Sequence, residues 1–283
     1  MRSPSYVVGA MASAALGTAC AVSSPDPGPE TTSSTTATAV VAVERTVGPG
    51  ETVRGDTVVA RFVRVRQGAV DEAALRVAGI ADDVPPSGSC TEPTDATFSS
   101  TSLQGGRGVE LLDVGQVTVA ALANDLASES FRKSTVLMPR AMPDPAGVVS
   151  GVFYSARSTD AFAAGSKVAL RSTGGADLDG FAVNVTAPRD LVDVRVTQLS
   201  AGFDVTWDAA DSDVVYVVVL APTPRAVIRC TASETGHITV PYTGTDDGQV
   251  AVHRLHRESF KAKGLSPGEV RFDLAKIVAF KHP

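Results

Sequence analysis

Aromatic residues are scarce in this 283-residue chain: one Trp, four Tyr and ten Phe, 5% of the total. Hydrophobic residues still reach 43%, so the core has to be built mostly from Val, Ala and Leu. Positive charge is short as well. The net charge is −6, and Arg2 is the only charge before Cys20, which leaves the chain beyond it near −7 and disfavours a general nucleic-acid binder. Long apolar runs are missing too. The best, Tyr6 to Leu16, falls well below the roughly 20 residues a membrane span needs.

Catalytic and metal-binding signatures are equally thin. Ser130-Phe-Arg-Lys133 fits S-x-x-K, yet the S-D-N and K-T-G elements that accompany it are absent. Ser150-Gly151 lacks the first glycine of a nucleophile elbow, because Val148 holds that position. No phosphate-binding loop and no H-E-x-x-H occur. His253 and His256, three apart on a strand, would face opposite sides and share no ion. No cofactor is implied. Acidic loops are the remaining ion candidates: Asp177 and Asp179 in one, Asp208, Asp211 and Asp213 in another. Calcium takes six to eight oxygens, and neither loop supplies a full set of side chains; Asp is also a standard turn former.

What is present at the N-terminus reads as targeting. Arg2 precedes the Tyr6–Leu16 run, which has the length of a signal-peptide h-region. Gly17-Thr-Ala19 and then Cys20 follow. In this the chain resembles bacterial lipoproteins, whose signal is cut just before a cysteine that takes lipid. That resemblance implies a signal peptide over residues 1–19, an anchor at Cys20 and a place on the cell envelope, in the outer membrane. Gly17-x-Ala19 also satisfies ordinary secretory cleavage, the alternative. Residues 20–38 turn abruptly to Ser, Thr, Pro, Asp and Gly, a composition too polar to fold alone and expected to act as a tether.

Three cysteines are present. With Cys20 acylated, Cys90 and Cys230 are left, and in an oxidising compartment they either bridge or stay as buried thiols. A bridge over so long a loop is worth about 4–5 kcal/mol in the chain-entropy model.

The rest of the chain is a series of short Val- and Thr-rich runs cut by Gly, Pro, Asp and Ser. Several alternate with period two, so an all-β fold of two sandwich-like domains is expected. Helices are expected only over Val70–Ala78 and Leu122–Glu129. Pro188 marks the boundary between residues 39–187 and 188–283. In the second part Phe203, Val205 and Trp207 share one face, and Val214–Leu220 is apolar on both, hence central. Trp207, with Tyr216 on the following strand, resembles fibronectin type III and immunoglobulin-like domains. In the first part, Val109–Val119 and Val148–Tyr154 are similar to segments of uncharacterised surface lipoproteins of myxobacterial type. The C-terminal stretch from His253 carries seven Lys or Arg against three acids. It is either a surface for an anionic partner or a solvated face. The function expected from all this is non-catalytic: binding of a glycan or an envelope protein, or a structural role. A hydrolase with residues gathered from loops is the alternative, and a His beside a carboxylate in a pocket would favour it.

Overall fold

The computed structural model describes residues 37–50, 55–65, 72–92, 109–122, 131–142, 149–158, 161–209, 213–220, 226–233, 236–244 and 246–281. The described residues all belong to one compact unit, residues 35–283. The described residues are all-β apart from one six-residue helix.

In chain order, β1 (Ala37–Val47) and β2 (Thr57–Val65) form an antiparallel pair. Then come α1 (Glu72–Val77) and the two-residue β3 (Cys90–Thr91). They are followed by β4 (Val109–Leu111), β5 (Val117–Leu122), β6 (Phe131–Ala141), β7 (Val149–Arg157), β8 (Lys167–Gly174) and β9 (Asp179–Thr186). The second half holds β10 (Arg195–Leu199), β11 (Gly202–Thr206), β12 (Val214–Leu220), β13 (Ala226–Thr231), β14 (His237–Pro241), β15 (Gly248–Ala262) and β16 (Leu265–Phe280). Thirteen strands join in one sheet, in the order β3-β13-β12-β15-β16-β1-β2-β4-β7-β6-β5-β8-β9, while β10-β11-β14 form a small second sheet.

Two apolar cores result. In the first, the large sheet folds back on itself at β6, whose first part pairs with β5 and whose last residues pair with β7. Val41, Val43, Val58, Ala60 and Phe62 thereby meet Val117, Val119, Val168, Leu170 and Val185. In the second, the small sheet covers β12 and its neighbours, with Phe203, Val205 and Trp207 packed on Val215, Val217, Val219 and Phe280. The period-two alternation of β11 puts those three side chains on one face, as its sequence implied. β12 is central, between β13 and β15, and is buried on both faces.

The chain leaves the first core at Ala187 and enters the second by Leu191, on either side of Pro188. The second half does not keep to itself, however. β15 and β16 run from one core into the other: Val250, Val252 and Phe280 line the second, Phe260, Leu265, Val270 and Phe272 the first. β16 also pairs in parallel with β1, so the first and last strands of the body lie side by side. β1 begins at Ala37, within the stretch expected to be tether, because Ala37 is buried and Thr38 pairs with Val63. The expected first helix is present as α1; of the second, Leu122 belongs to β5 and residues 123–129 lie outside the described residues.

Candidate functional site

Polar chemistry gathers in three places around the shared strands. The first is the passage between the cores. Arg45 of β1 and Arg254 of β15 both stand opposite Leu274 of β16, so they occupy one rung across three strands. Arg45 Nε donates to Asp56 Oδ1 at 2.7 Å, and its Nη2 to Asp56 Oδ2 at 3.1 Å and to the Phe162 carbonyl at 2.7 Å. Its Nη1 reaches Asp190. Asp56 accepts the Phe162 N–H as well, at 2.7 Å. Burial works against the Arg45 charge, but Asp56 and Asp190 outweigh it and hold the guanidinium above its ordinary range. Arg254, 2% exposed, donates to the carbonyls of Arg189 at 2.9 Å and Asp190 at 3.1 Å, while its Nε makes no hydrogen bond and faces Asp213 Oδ2 at 3.8 Å. Two buried arginines thus clasp residues 189–190 where the chain changes cores.

The second place is the face of the large sheet turned away from the second core, crossed by a strap over residues 80–91. Arg271 of β16 donates to Asp82 Oδ1 at 2.6 Å and to the Ile80 carbonyl at 2.8 Å. Arg257 of β15 also binds Asp82. Arg229 of β13 holds Asp83 Oδ2 at 2.6 Å, Thr231 Oγ1 donates to the Pro85 carbonyl at 2.8 Å, and Gly88 N–H to the Thr231 carbonyl at 2.9 Å. Val84 of the strap packs on Tyr216, Val218, Ala251 and Leu255. Beneath it Tyr216 donates its hydroxyl to Asp273 Oδ2 at 2.7 Å, and His253 Nδ1 meets Asp273 Oδ1 at 2.9 Å. The Tyr216 and His253 rings stack 4.4 Å apart. Burial, reinforced by Asp273, pushes the Tyr216 phenol above its ordinary range. At the rim, partial desolvation by its neighbours raises the Glu44 carboxyl above its ordinary 4.5, with Asp273 adding to the effect and Arg61 and His253 opposing it, although the residue as a whole is exposed. Arg61, lowered by burial, lies against Gly79, where a Cβ would come within 2.6 Å of its Cζ. In this strip Tyr216, His253 and Asp273 are committed to one another, and Asp82 and Asp83 to arginines of the sheet. The arrangement fastens the strap.

The third place is where the strap ends. Cys90 of β3 lies opposite Cys230 of β13 and is joined to it by a disulfide. Cys230 is fully buried, whereas Cys90 is exposed. A cleft of about 360 Å³ opens here, lined by Gly88, Cys90, Thr231, Ser233, His237 and Thr239 among others. His237 Nε2 meets Asp204 Oδ1 at 2.5 Å, and His237 is half exposed.

The acidic loops are occupied by structural ties. Asp177 accepts the Asp113 N–H at 2.8 Å through Oδ2. Asp179 pairs with Lys263 at 2.7 Å, which draws the carboxyl below and the ammonium above their ordinary ranges. Asp213 meets His256 Nδ1 at 2.7 Å. Asp208 contributes backbone, donating its N–H to the Val192 carbonyl at 3.1 Å. Among the described residues no group of three or more His, Cys, Asp or Glu is placed to hold a metal. His253 and His256 reach different carboxylates, Asp273 and Asp213. Ser150-Gly151 lies inside β7, where Gly151 has φ +113° and a Cβ would meet the Leu111 carbonyl oxygen at 1.9 Å. Cys20, Asp211 and Ser130 lie outside the described residues. Of the basic C-terminal stretch, Arg257 and Arg271 are taken up by Asp82, Lys263 by Asp179 and Arg254 by backbone carbonyls. The arginine clasp and the strap were not visible in the sequence. The only hint was a set of charged residues inside otherwise apolar strands.

No family model matches the chain, and no curated protein matches it. Among solved structures it is similar to the yeast delta-COP-I mu-homology domain at 12% identity and a TM-score of 0.21, over 85% of this chain and 94% of that one. A likeness of that depth bears on neither fold nor function here.

Proposed function

We propose that this is an exported, lipid-anchored envelope protein whose all-β body serves as a non-catalytic binding or structural module. The observation that carries the reading is the Cys90–Cys230 bridge in a chain that opens on a signal-like run and Cys20. Disulfides persist in oxidising compartments, and a cross-link between strap and sheet stiffens a body exposed outside the cytoplasm. The committed state of the polar groups beneath the strap supports the non-catalytic part. A sandwich akin to fibronectin type III in the second core would suit protein or glycan contacts. The test is capture: the tether-free body is offered envelope lysate and a glycan array. Recovery of a saturable partner is the expected result. Turnover in a broad hydrolase screen, with no partner recovered, would overturn it.

One observation favours the hydrolase reading: His237, paired with Asp204, shares a cleft with Ser233. That reading is the weaker. The His is half open to water, whereas catalytic bases are tuned by burial, and Ser233 makes no hydrogen bond to it. Labelling of Ser233 by a fluorophosphonate probe, lost in His237→Ala, would reverse the ranking.

A further inference from the structure

We propose that the Cys90–Cys230 disulfide is a thiol-accessible latch whose opening frees the strap over residues 80–91 from the sheet. Three observations converge on this. Cys90 sits on a two-residue strand at the outer edge of the large sheet, so little backbone pairing holds it. It is exposed and lines a polar cleft roomy enough for a small thiol, while Cys230 is fully buried. Beyond the disulfide, the strap is fastened by ion pairs at partly exposed positions, Asp82 to Arg257 and Arg271 and Asp83 to Arg229, and by a few hydrogen bonds to Thr231 beside the bridge.

Exposure decides which sulfur reacts. A thiolate entering the cleft bonds to Cys90 Sγ as the Sγ–Sγ bond breaks. Cys230 leaves as a thiolate and takes a proton from water. A second thiolate then attacks the mixed disulfide at its own partner sulfur, releasing Cys90 as a thiolate that also takes a proton. Two thiols are oxidised to their disulfide and two electrons reach the protein. The reductant is a low-molecular-weight thiol or the dithiol of an oxidoreductase. With the covalent tie gone, Val84 can lift from Tyr216, Val218, Ala251 and Leu255 and expose that apolar patch.

The test treats the full, folded chain with reduced glutathione, quenches in acid, alkylates free thiols and maps the peptides, with hydrogen exchange followed before and after reduction. The expected adduct is glutathione on Cys90 with Cys230 alkylated. Exchange over residues 80–91 should accelerate at least tenfold or so, while β12 and β15 stay protected. Asp82→Asn, with the disulfide intact, keeps the idea open to refutation should the reduced chain unfold. It should speed glutathione attack by about tenfold, because it weakens the strap's ties to both Arg257 and Arg271. Adducts that form only at the rate of global unfolding, or an Asp82→Asn variant that reacts no faster, would overturn the latch.

Discussion

Single side chains carry much of the architecture, and each can be tested alone. Tyr154 is buried in the first core, donates its hydroxyl to Asp113 Oδ1 at 2.9 Å and accepts the Val114 N–H at 2.9 Å. Its phenol is pushed up to about 12 by burial, with Asp113 reinforcing the effect. Tyr154→Phe strands a buried N–H, and urea unfolding should show a loss of about 1–3 kcal/mol. Asp56 is fully buried against Arg45. Asp56→Ala leaves that guanidinium short of a partner and should cost about 3–5 kcal/mol, whereas Arg45→Met combined with Asp56→Val should cost less than the single change. Glu44 behaves in the opposite sense. Its folded-state value lies above the ordinary 4.5, so its protonated form favours the fold, and stability falls as pH rises from 4.5 through the folded value. Glu44→Gln should therefore melt higher than the parent at pH 7 and converge with it near pH 4. A variant that melts lower at pH 7 would contradict the assignment.

Among the elements, legibility followed the physics of each strand. β12 was readable because Val-Val-Tyr-Val-Val-Val-Leu is apolar on both faces, which only a central strand permits; β11 was readable from its alternation. β6 was not, since Phe-Arg-Lys-Ser-Thr-Val-Leu-Met-Pro-Arg-Ala mixes cations with a proline and takes its conformation from two different neighbours. The outer parts of β15 and β16 carry no strand signal for a related reason. His256–Ala262 and Leu265–Gly268 carry charge, Pro and Gly, and their extended form comes from pairing along a hairpin and from Phe260 and Leu265 entering a core built by the other half of the chain. Residues 80–91 give no periodic signal, because the strap is held by side chains and a short backbone pairing from strands distant in sequence. Removing its covalent end by Cys90→Ser with Cys230→Ser should destabilise the chain by about 4–5 kcal/mol in the chain-entropy model, given a sequence separation of 140. The check is guanidinium unfolding of the variant beside the oxidised parent, and a loss under about 1 kcal/mol would contradict that account.

For the whole molecule, the strands β15 and β16 contribute side chains to both cores. Trp207, the only tryptophan, reports on the second core, while far-UV ellipticity reports on both. With β15 and β16 common to the two, the fluorescence and ellipticity transitions in urea should coincide; separate midpoints would mean independent domains. The envelope location proposed above rests on the composition of the N-terminal residues. The most direct measurement is intact mass and non-reducing peptide mapping of the protein taken from the membrane fraction of cells that make it. The account predicts a chain beginning at an acylated Cys20, with Cys90 and Cys230 in one linked peptide pair. An unprocessed chain with three free thiols would contradict it.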